Sequence, residues 1–211
     1  MNVVLLGAPG AGKGTHAKFI SEALNIPIVS AGNLLRGEIR DATPLGNQIK
    51  ATMDAGDLIP DEITIRLMRD KLKSRECERG VIIDGFPRTL LQAEALDGFC
   101  SLDAALCIEV SEEVIVRRMA GRRTCPRCQQ TFHVESHPPK TEGICDFCGT
   151  ILGVRDDDRP EVVRHRFEVY HELTEPIKNY YEAQGKLRVV YGKDEVEETK
   201  RLVFAALGIE Q

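Results

Sequence analysis

The chain has no tryptophan, and aromatic residues make up only 5% of its 211 residues. A core must therefore be built from Leu, Ile, Val and Ala. Long apolar runs are missing too. No stretch approaches the ~18 apolar residues of a membrane span. The opening "MNVVLLG" lacks the basic start and long apolar run of a secretory signal. These absences predict a cytoplasmic chain without membrane contact. Positive charge is also short: 28 Lys and Arg stand against 33 Asp and Glu, a formal net charge of −5. Bulk attraction to nucleic acid or acidic lipid is not expected, so any anion site must be built locally. With 42% hydrophobic residues the chain can still bury one sizeable core with small attached lobes.

Apolar patterning predicts strands at 3–6, 26–29, 81–84, 104–110 and 187–190. Helical spacing falls at 13–24, 33–40, 44–53, 61–73, 89–96, 161–183 and 195–207, with a further helix capped by Ser111. Strands alternating with helices predict an α/β fold with a five-stranded parallel sheet and flanking helices. Residues 124–153 break this rhythm. They hold few aliphatics and four of the seven cysteines, and read as an inserted lobe with its own means of stability.

The strand "VVLL" runs into "GAPGAGKGT" at 7–15, after which a helix opens at Lys13. A strand, a glycine-rich turn and a helix are the context of a phosphate loop. Backbone N–H groups there converge on one point, where an anion is stabilised. The spacing Gly7-x4-Gly12-Lys13 fits, although Gly14 intervenes before Thr15. Asp84 ends the strand "VIID". An acid at that end of a strand can hold the water shell of Mg²⁺; it also reads as a turn aspartate before Gly85.

Cys125-x2-Cys128 and Cys145-x2-Cys148 flank sixteen residues, 129–144. This is zinc-ribbon spacing, in which thiolates from two tight turns complete a tetrahedron around Zn²⁺. A lobe this small cannot bury enough apolar surface alone, and a metal can replace the missing core. Disulfides and an iron–sulfur centre are the structural rivals; a reducing cytoplasm disfavours the former. Cys77, Cys100 and Cys107 read as ordinary thiols.

Taken together, "GAPGAGKGT", "DGFPR" at 84–88 followed by Gln92, "MDAGDLIPDE" at 53–62, "GRR" at 121–123 and "RDDD" at 155–158 resemble the adenylate kinase family over nearly the whole chain. The cysteine lobe resembles the zinc-binding lid found in part of that family. The resemblance implies the reaction ATP + AMP ⇌ 2 ADP, with Mg²⁺ accompanying the nucleotide and one structural Zn²⁺. It implies a core of 1–29, 60–120 and 159–211, an AMP-binding lobe at 30–59 and a lid at 121–158. A monomer is expected, with ATP, AMP and ADP as partners and no nucleic acid.

By the same resemblance Lys13, Arg88, Arg122, Arg155 and Arg166 are the catalytic cations. Gly10, Ala11, Gly12, Lys13, Gly14, Thr15, Arg118, Arg122, Thr131, Phe132, Gly192 and Asp194 would meet ATP. Ala31, Arg36, Asp57, Leu58, Ile59, Gly85, Phe86, Pro87, Arg88, Gln92, Arg155 and Arg166 would meet AMP. Phosphoryl transfer depends on positioning and charge neutralisation, which suits arginine with its planar fork and permanent charge. Arg117, Arg123 and Arg164 read as surface charges.

Some residues carry two readings. Thr89-x-x-Gln92 also fits a capping box, in which Gln92 serves the helix N-terminus. Asp157 and Asp158 read as groups that orient ribose or arginines or lock the lid, or as solvated charges. Four departures from the family text stand out: Ala31 and Asn33 in "SAGN", Asp57 where Lys is common, and His16 after the loop. Ala31 lacks a hydroxyl expected in the AMP base pocket. A nucleoside monophosphate kinase of broader base preference is therefore one alternative. A zinc-ribbon nucleic-acid-binding ATPase is another, opposed by the net charge and the AMP-site text.

Overall fold

The structure, a computed structural model, describes residues 1–210. Its main sheet holds β1 (Asn2–Leu6), β2 (Ile28–Ser30), β3 (Val81–Asp84), β4 (Ala104–Glu109) and β7 (Leu187–Tyr191) in the order β2-β3-β1-β4-β7. Every neighbouring pair is parallel. Parallel strands are covered on both faces and so read as continuous apolar runs. The two faces of β1 show this. Val4 and Leu6 pack on one side with Met68, Ile83, Ala93 and Tyr181. Val3 and Leu5 pack on the other with Ile20, Ile82, Leu106 and Phe204.

The flanking helices are α1 (Lys13–Leu24), α4 (Asp61–Leu72), α5 (Leu90–Asp97), α6 (Glu112–Ala120), α7 (Pro160–Val169), α8 (Ile177–Ala183) and α9 (Val196–Leu207). The expected single helix over 161–183 is interrupted. A π-helical turn spans Tyr170–Thr174, with Glu175 N donating to Tyr170 O at 2.8 Å, before α8 begins. Pro176 has no N–H to continue an α-helical ladder, which accounts for the break. The second strand also starts two residues later than expected, at Ile28.

Between β2 and α4 the chain forms α2 (Ala31–Arg40) and α3 (Pro44–Ala55). Thr43 caps α3 by accepting from Gly46 N at 2.9 Å, with Pro44 at the first helical position. Leu35, Ile49 and Ile59 give this segment its own small apolar cluster. After α6 the cysteine segment pairs β5 (Arg122–Thr124) with β6 (Thr131–His133) as a separate antiparallel ribbon. Cys125, Phe132 and Cys145 are its only fully buried apolar cluster among the described residues. Isolated bridges Thr124–Gly153 and Ile144–Ile151 fold the second cysteine pair back onto the first.

Candidate active site

The C-terminal ends of β1, β3 and β4 open on one crevice, where parallel α/β sheets hold their ligands. The glycine loop crosses it directly after β1. Gly10 has φ +85°, and a Cβ there would stand 2.6 Å from Ile115 Cγ2 and 2.7 Å from Met119 Sδ. Only glycine lets the loop lie that close to α6. Gly12 caps α1 without a side-chain bond. The N–H groups of Thr15 and His16 donate to Gly12 O at 3.0 and 3.1 Å, while those of Lys13 and Gly14 have no backbone acceptor, the arrangement that favours an anion.

Lys13 lies within this loop. Its Nζ donates to Gly7 O at 2.6 Å and Ala8 O at 2.8 Å. Burial lowers its pKa from the usual 10.5 to about 8, Asp84 opposes that shift, and Arg88 and Arg166 add to it. Asp84 accepts a hydrogen bond from Ser30 Oγ at 3.3 Å. Its hard carboxylate oxygens beside Lys13 suit the water shell of Mg²⁺.

Arg88 follows β3 in a turn containing a cis Phe86–Pro87 peptide. Its Nε donates to Gly85 O at 3.0 Å, and its carbonyl accepts from Thr174 Oγ1 at 2.9 Å. Phe86 and Pro87 are buried beneath it. Arg122, Arg155 and Arg166 come from β5, the 155–158 turn and α7. Arg122 Nε donates to Asp158 Oδ2 at 2.7 Å. Arg166 Nη1 reaches Asp157 Oδ2 at 2.9 Å and Asp158 Oδ1 at 3.3 Å. Arg155 Nη2 meets Thr131 Oγ1 at 3.5 Å, and its Nε is buried with no protein acceptor.

Burial lowers the pKa of Arg88 and Arg36, of Arg155 to about 9 and of Arg166 to about 10. Mutual repulsion contributes: Arg36 and Arg122 act on Arg155, while Arg122 and Arg88 act on Arg166. Lys13 and Arg36, Arg88, Arg122, Arg155 and Arg166 thus share a space in which the opposing carboxylates are Asp84, Asp157 and Asp158 among the described residues. Such an excess of buried positive charge is stabilised by a polyanion and is suited to spreading charge on a transferring phosphoryl group.

The structure separates the other expected residues. Arg118 donates to Lys193 O at 2.8 Å, beside Gly192, whose own N–H donates to Glu109 O at 2.8 Å. Asp194 is exposed and faces Arg117 at 3.7 Å. The ring of Phe132 lies inside the cysteine lobe, stacked on His137. Ala31 opens α2, 2% exposed, within the main core. Ile59 is buried, and Asp57 is exposed and bonded to His165 Nε2 at 2.6 Å.

Gln92 makes one of the two bonds of a capping box, since its side chain takes the N–H of Arg88 rather than that of the cap residue Thr89. Its N–H donates to Thr89 Oγ1 at 3.2 Å, and its Oε1 accepts from Arg88 N at 2.8 Å. Its Nε2 also donates to Asp61 Oδ1 at 2.7 Å, leaving the second amide hydrogen for a ligand. Asp61 further accepts from Thr89 Oγ1 at 2.9 Å. Asp61, Thr174 and His165 also bond to residues of this site, with no mark in the sequence that singles them out. In the text Asp61 is a helix-opening acid, and nothing local signals its partners 28 and 31 residues away.

In the cysteine lobe the four sulfurs of Cys125, Cys128, Cys145 and Cys148 all lie within 4.8 Å of one another. Sγ of Cys125 and Cys148 are 3.4 Å apart, and those of Cys128 and Cys145 3.5 Å. A disulfide would require ~2.05 Å. A tetrahedron with metal–sulfur bonds of ~2.3 Å has edges of about 3.8 Å, so these sulfurs fit a bound metal ion. Cys77 and Cys107 are buried in the core, and burial pushes the Cys107 thiol up to about 12.

Comparison with known proteins places this geometry. The family model described as adenylate kinase matches residues 5–186. The chain is 51% identical to the adenylate kinase of Ruminiclostridium cellulolyticum, over 99% of this chain and all of that protein. It is 48% identical to that of Caldicellulosiruptor bescii over the full length of both. It is 46% identical to that of Acetivibrio thermocellus over 98% of each. With the family model matching most of its length and relatives of 46–51% identity along nearly all of it, the chain belongs to the adenylate kinase family.

Proposed function

We propose that this chain catalyses the reversible, Mg²⁺-dependent transfer of a phosphoryl group from ATP to AMP, giving two ADP. The observation that carries the reading is the convergence of Lys13, Arg88, Arg155 and Arg166 on one crevice at the strand ends. ATP would lie along the glycine loop, from Gly10 to Thr15, with its base toward Arg118 and Gly192. AMP would lie between Arg36, Arg88 and Gln92. Residues 30–59 would form the AMP lobe and 121–158 the lid, on a core of the remaining residues.

The chemistry asks little covalent work of the protein. Lys13 and the arginines would hold both phosphate chains in line and neutralise charge that spreads over the moving group. Asp84 would hold Mg²⁺ through water, and the ion would supply positive charge against the phosphates. Closing the lid would exclude water and so prevent hydrolysis of ATP. The four cysteines would bind one zinc ion. Four thiolates close the shell, which makes the site structural. No helix among the described residues is long and apolar enough to cross a membrane. A cytoplasmic monomer is the reading we adopt.

A coupled assay of ATP with AMP, GMP, CMP and UMP in the presence of Mg²⁺ tests this. Turnover with AMP well above the other three supports adenylate kinase. Comparable rates with two or more would instead favour the broader monophosphate kinase that Ala31 allows, and no turnover with any would overturn both.

A further inference from the structure

The two cysteine turns of the lid share one backbone hydrogen-bond pattern and differ in the residue at its left-handed position. In the second, the residue after Cys148 is Gly149, with φ +70° and its N–H donating to Cys145 O at 2.9 Å. In the first, the residue after Cys128 is Gln129, with φ +61° and its N–H donating to Cys125 O at 3.0 Å. The position requires a left-handed residue in both turns. Glycine takes that conformation without strain, and a side chain there is costly. A strained residue that persists points to a contact its side chain makes.

The side chain of Gln129 leaves the lobe. Its Nε2 donates to Pro126 O at 3.0 Å, which fixes the amide. Its Oε1 accepts from Nε of Arg36, on α2, at 3.1 Å. Asn33 Oδ1 accepts from Arg36 Nη2 at 3.0 Å. These two acceptors set the plane of the guanidinium and do not use Nη1. Arg40 Nη1 adds a longer bond to Arg127 O at 3.4 Å. The fixed guanidinium also lies toward the Arg88 side of the crevice. A Cβ on Gly32 would stand 2.9 Å from Arg36 Nη2, and one on Gly85 would stand 3.3 Å from Arg88 Nη2 and 4.0 Å from Gly32 N. Asn33 is uncharged, so Arg36 keeps more of its charge for an anion than it would beside a carboxylate.

We propose that Gln129 is a positioning residue: its amide oxygen, carried by the first cysteine turn, orients Arg36 toward the monophosphate, so that lid closure strengthens binding of the acceptor nucleotide. This rests on the reading of the chain as an ATP:AMP phosphotransferase. Gln129 touches no substrate in this arrangement and acts only through Arg36.

Gln129→Gly removes the side chain and supplies the residue that the second turn already uses, so the turn is retained. Gln129→Glu keeps the acceptor oxygen. KM is measured for both substrates, with Kd for AMP in the presence of a non-hydrolysable ATP analogue. The expected result is a rise of roughly 3- to 10-fold in KM and Kd for AMP in Gln129→Gly, the scale of one hydrogen bond. KM for ATP should stay within about 2-fold, and Gln129→Glu, which keeps an acceptor but sets a carboxylate beside Arg36, should recover only part of the AMP binding lost in Gln129→Gly. In an Arg36→Lys background, which lacks the Nε donor, Gln129→Gly should have no further effect. An unchanged AMP affinity, an equal rise for ATP, or an undiminished effect in the Arg36→Lys background would each overturn the proposal. Failure of the underlying reading looks different: the unaltered protein would form no ADP from ATP and AMP.

Discussion

Asp158 is held between Arg122 and Arg166 with its side chain wholly buried. Arg122 grips it with two prongs, Nε to Oδ2 at 2.7 Å and Nη2 to Oδ1, while Arg166 Nη1 shares Oδ1. One carboxylate thus bridges two arginines, and Asp157 meets Arg166 as well. Asp158→Asn keeps the shape and removes the charge. Breaking a buried pair costs about 3–5 kcal/mol, or a fall in Tm of about 6–20 °C for a chain of this length. Phosphate can replace the lost charge, so ADP should raise the Tm of the variant more than that of the unaltered protein. Equal melting temperatures without ligand would show that Asp158 does not carry this role.

Lys13 gives a pH-dependent prediction. Its folded pKa of about 8 lies below the usual 10.5 because burial penalises the ammonium. Between those values the unfolded chain holds a proton that the folded chain has released, so stability rises with pH across that window. Relative to Lys13→Met, the unaltered protein should therefore gain stability from pH 8 to 10 in denaturant melts. Nucleotide binding has the opposite sign. The charged ammonium binds phosphate, so KM for ATP should climb above pH 8, and binding at pH 8.5 should take up a proton detectable by calorimetry in two buffers. Lys13→Ala should lower kcat by at least ~100-fold, as loss of a charge-stabilising donor does. A flat pH profile in both measurements would contradict the burial argument.

Much of this site was legible because its signals are local. The glycine loop and the acid ending β3 each declare themselves within about ten residues, and the paired cysteines within 24, from 125 to 148. The five core strands showed as apolar runs for the same reason. What the text hid depends on distant partners. Asp157 and Asp158 read equally well as solvated charges until β5 and α7 brought Arg122 and Arg166 against them. Gln92 offers two readings; its backbone N–H serves the cap, while its side chain is held by Arg88 N and by Asp61, 31 residues away. The break after Val169 was written in Pro176, but apolar periodicity ran through it. Gln129 could have been noticed by aligning the two cysteine turns; its partner Arg36, 93 residues away, could not.

The contact between His165 and Asp57 ties the end of the α2–α3 segment to α7. His165 Nε2 and Asp57 Oδ1 are 2.6 Å apart, with Glu168 3.6 Å from the other ring nitrogen. Hydrogen bonding to Asp57 raises the histidine pKa. The bond therefore adds stability fully below the unfolded value of about 6.5, and that contribution fades as pH rises through the folded value. Titration of His165 by NMR should give a midpoint above 6.5, lowered by Asp57→Asn. The same midpoint in both proteins would mean that the pair is not formed in solution.

The cysteine lobe should depend on its metal more than the core does. Its buried apolar cluster is little more than Phe132 and two cysteines, with Leu152 and Cys148 against it. That is far less than the two layers that cover the main sheet. A structural metal supplies folding energy where such a core is missing. Stripping the metal with a chelator should therefore raise hydrogen exchange across 124–153 well before the sheet strands lose protection. Arg122 and Arg155 flank the lobe, and Gln129 lies within it. Loosening should misplace all three, so turnover should fall while β1, β3 and β4 stay protected. Metal analysis of protein purified without chelator should find one zinc per chain, and Cys128→Ser with Cys148→Ser should reproduce the loosened lobe. Unchanged exchange in 124–153 after metal removal would leave the lobe standing on its backbone bridges alone, and the absence of zinc from untreated protein would remove the metal from the account.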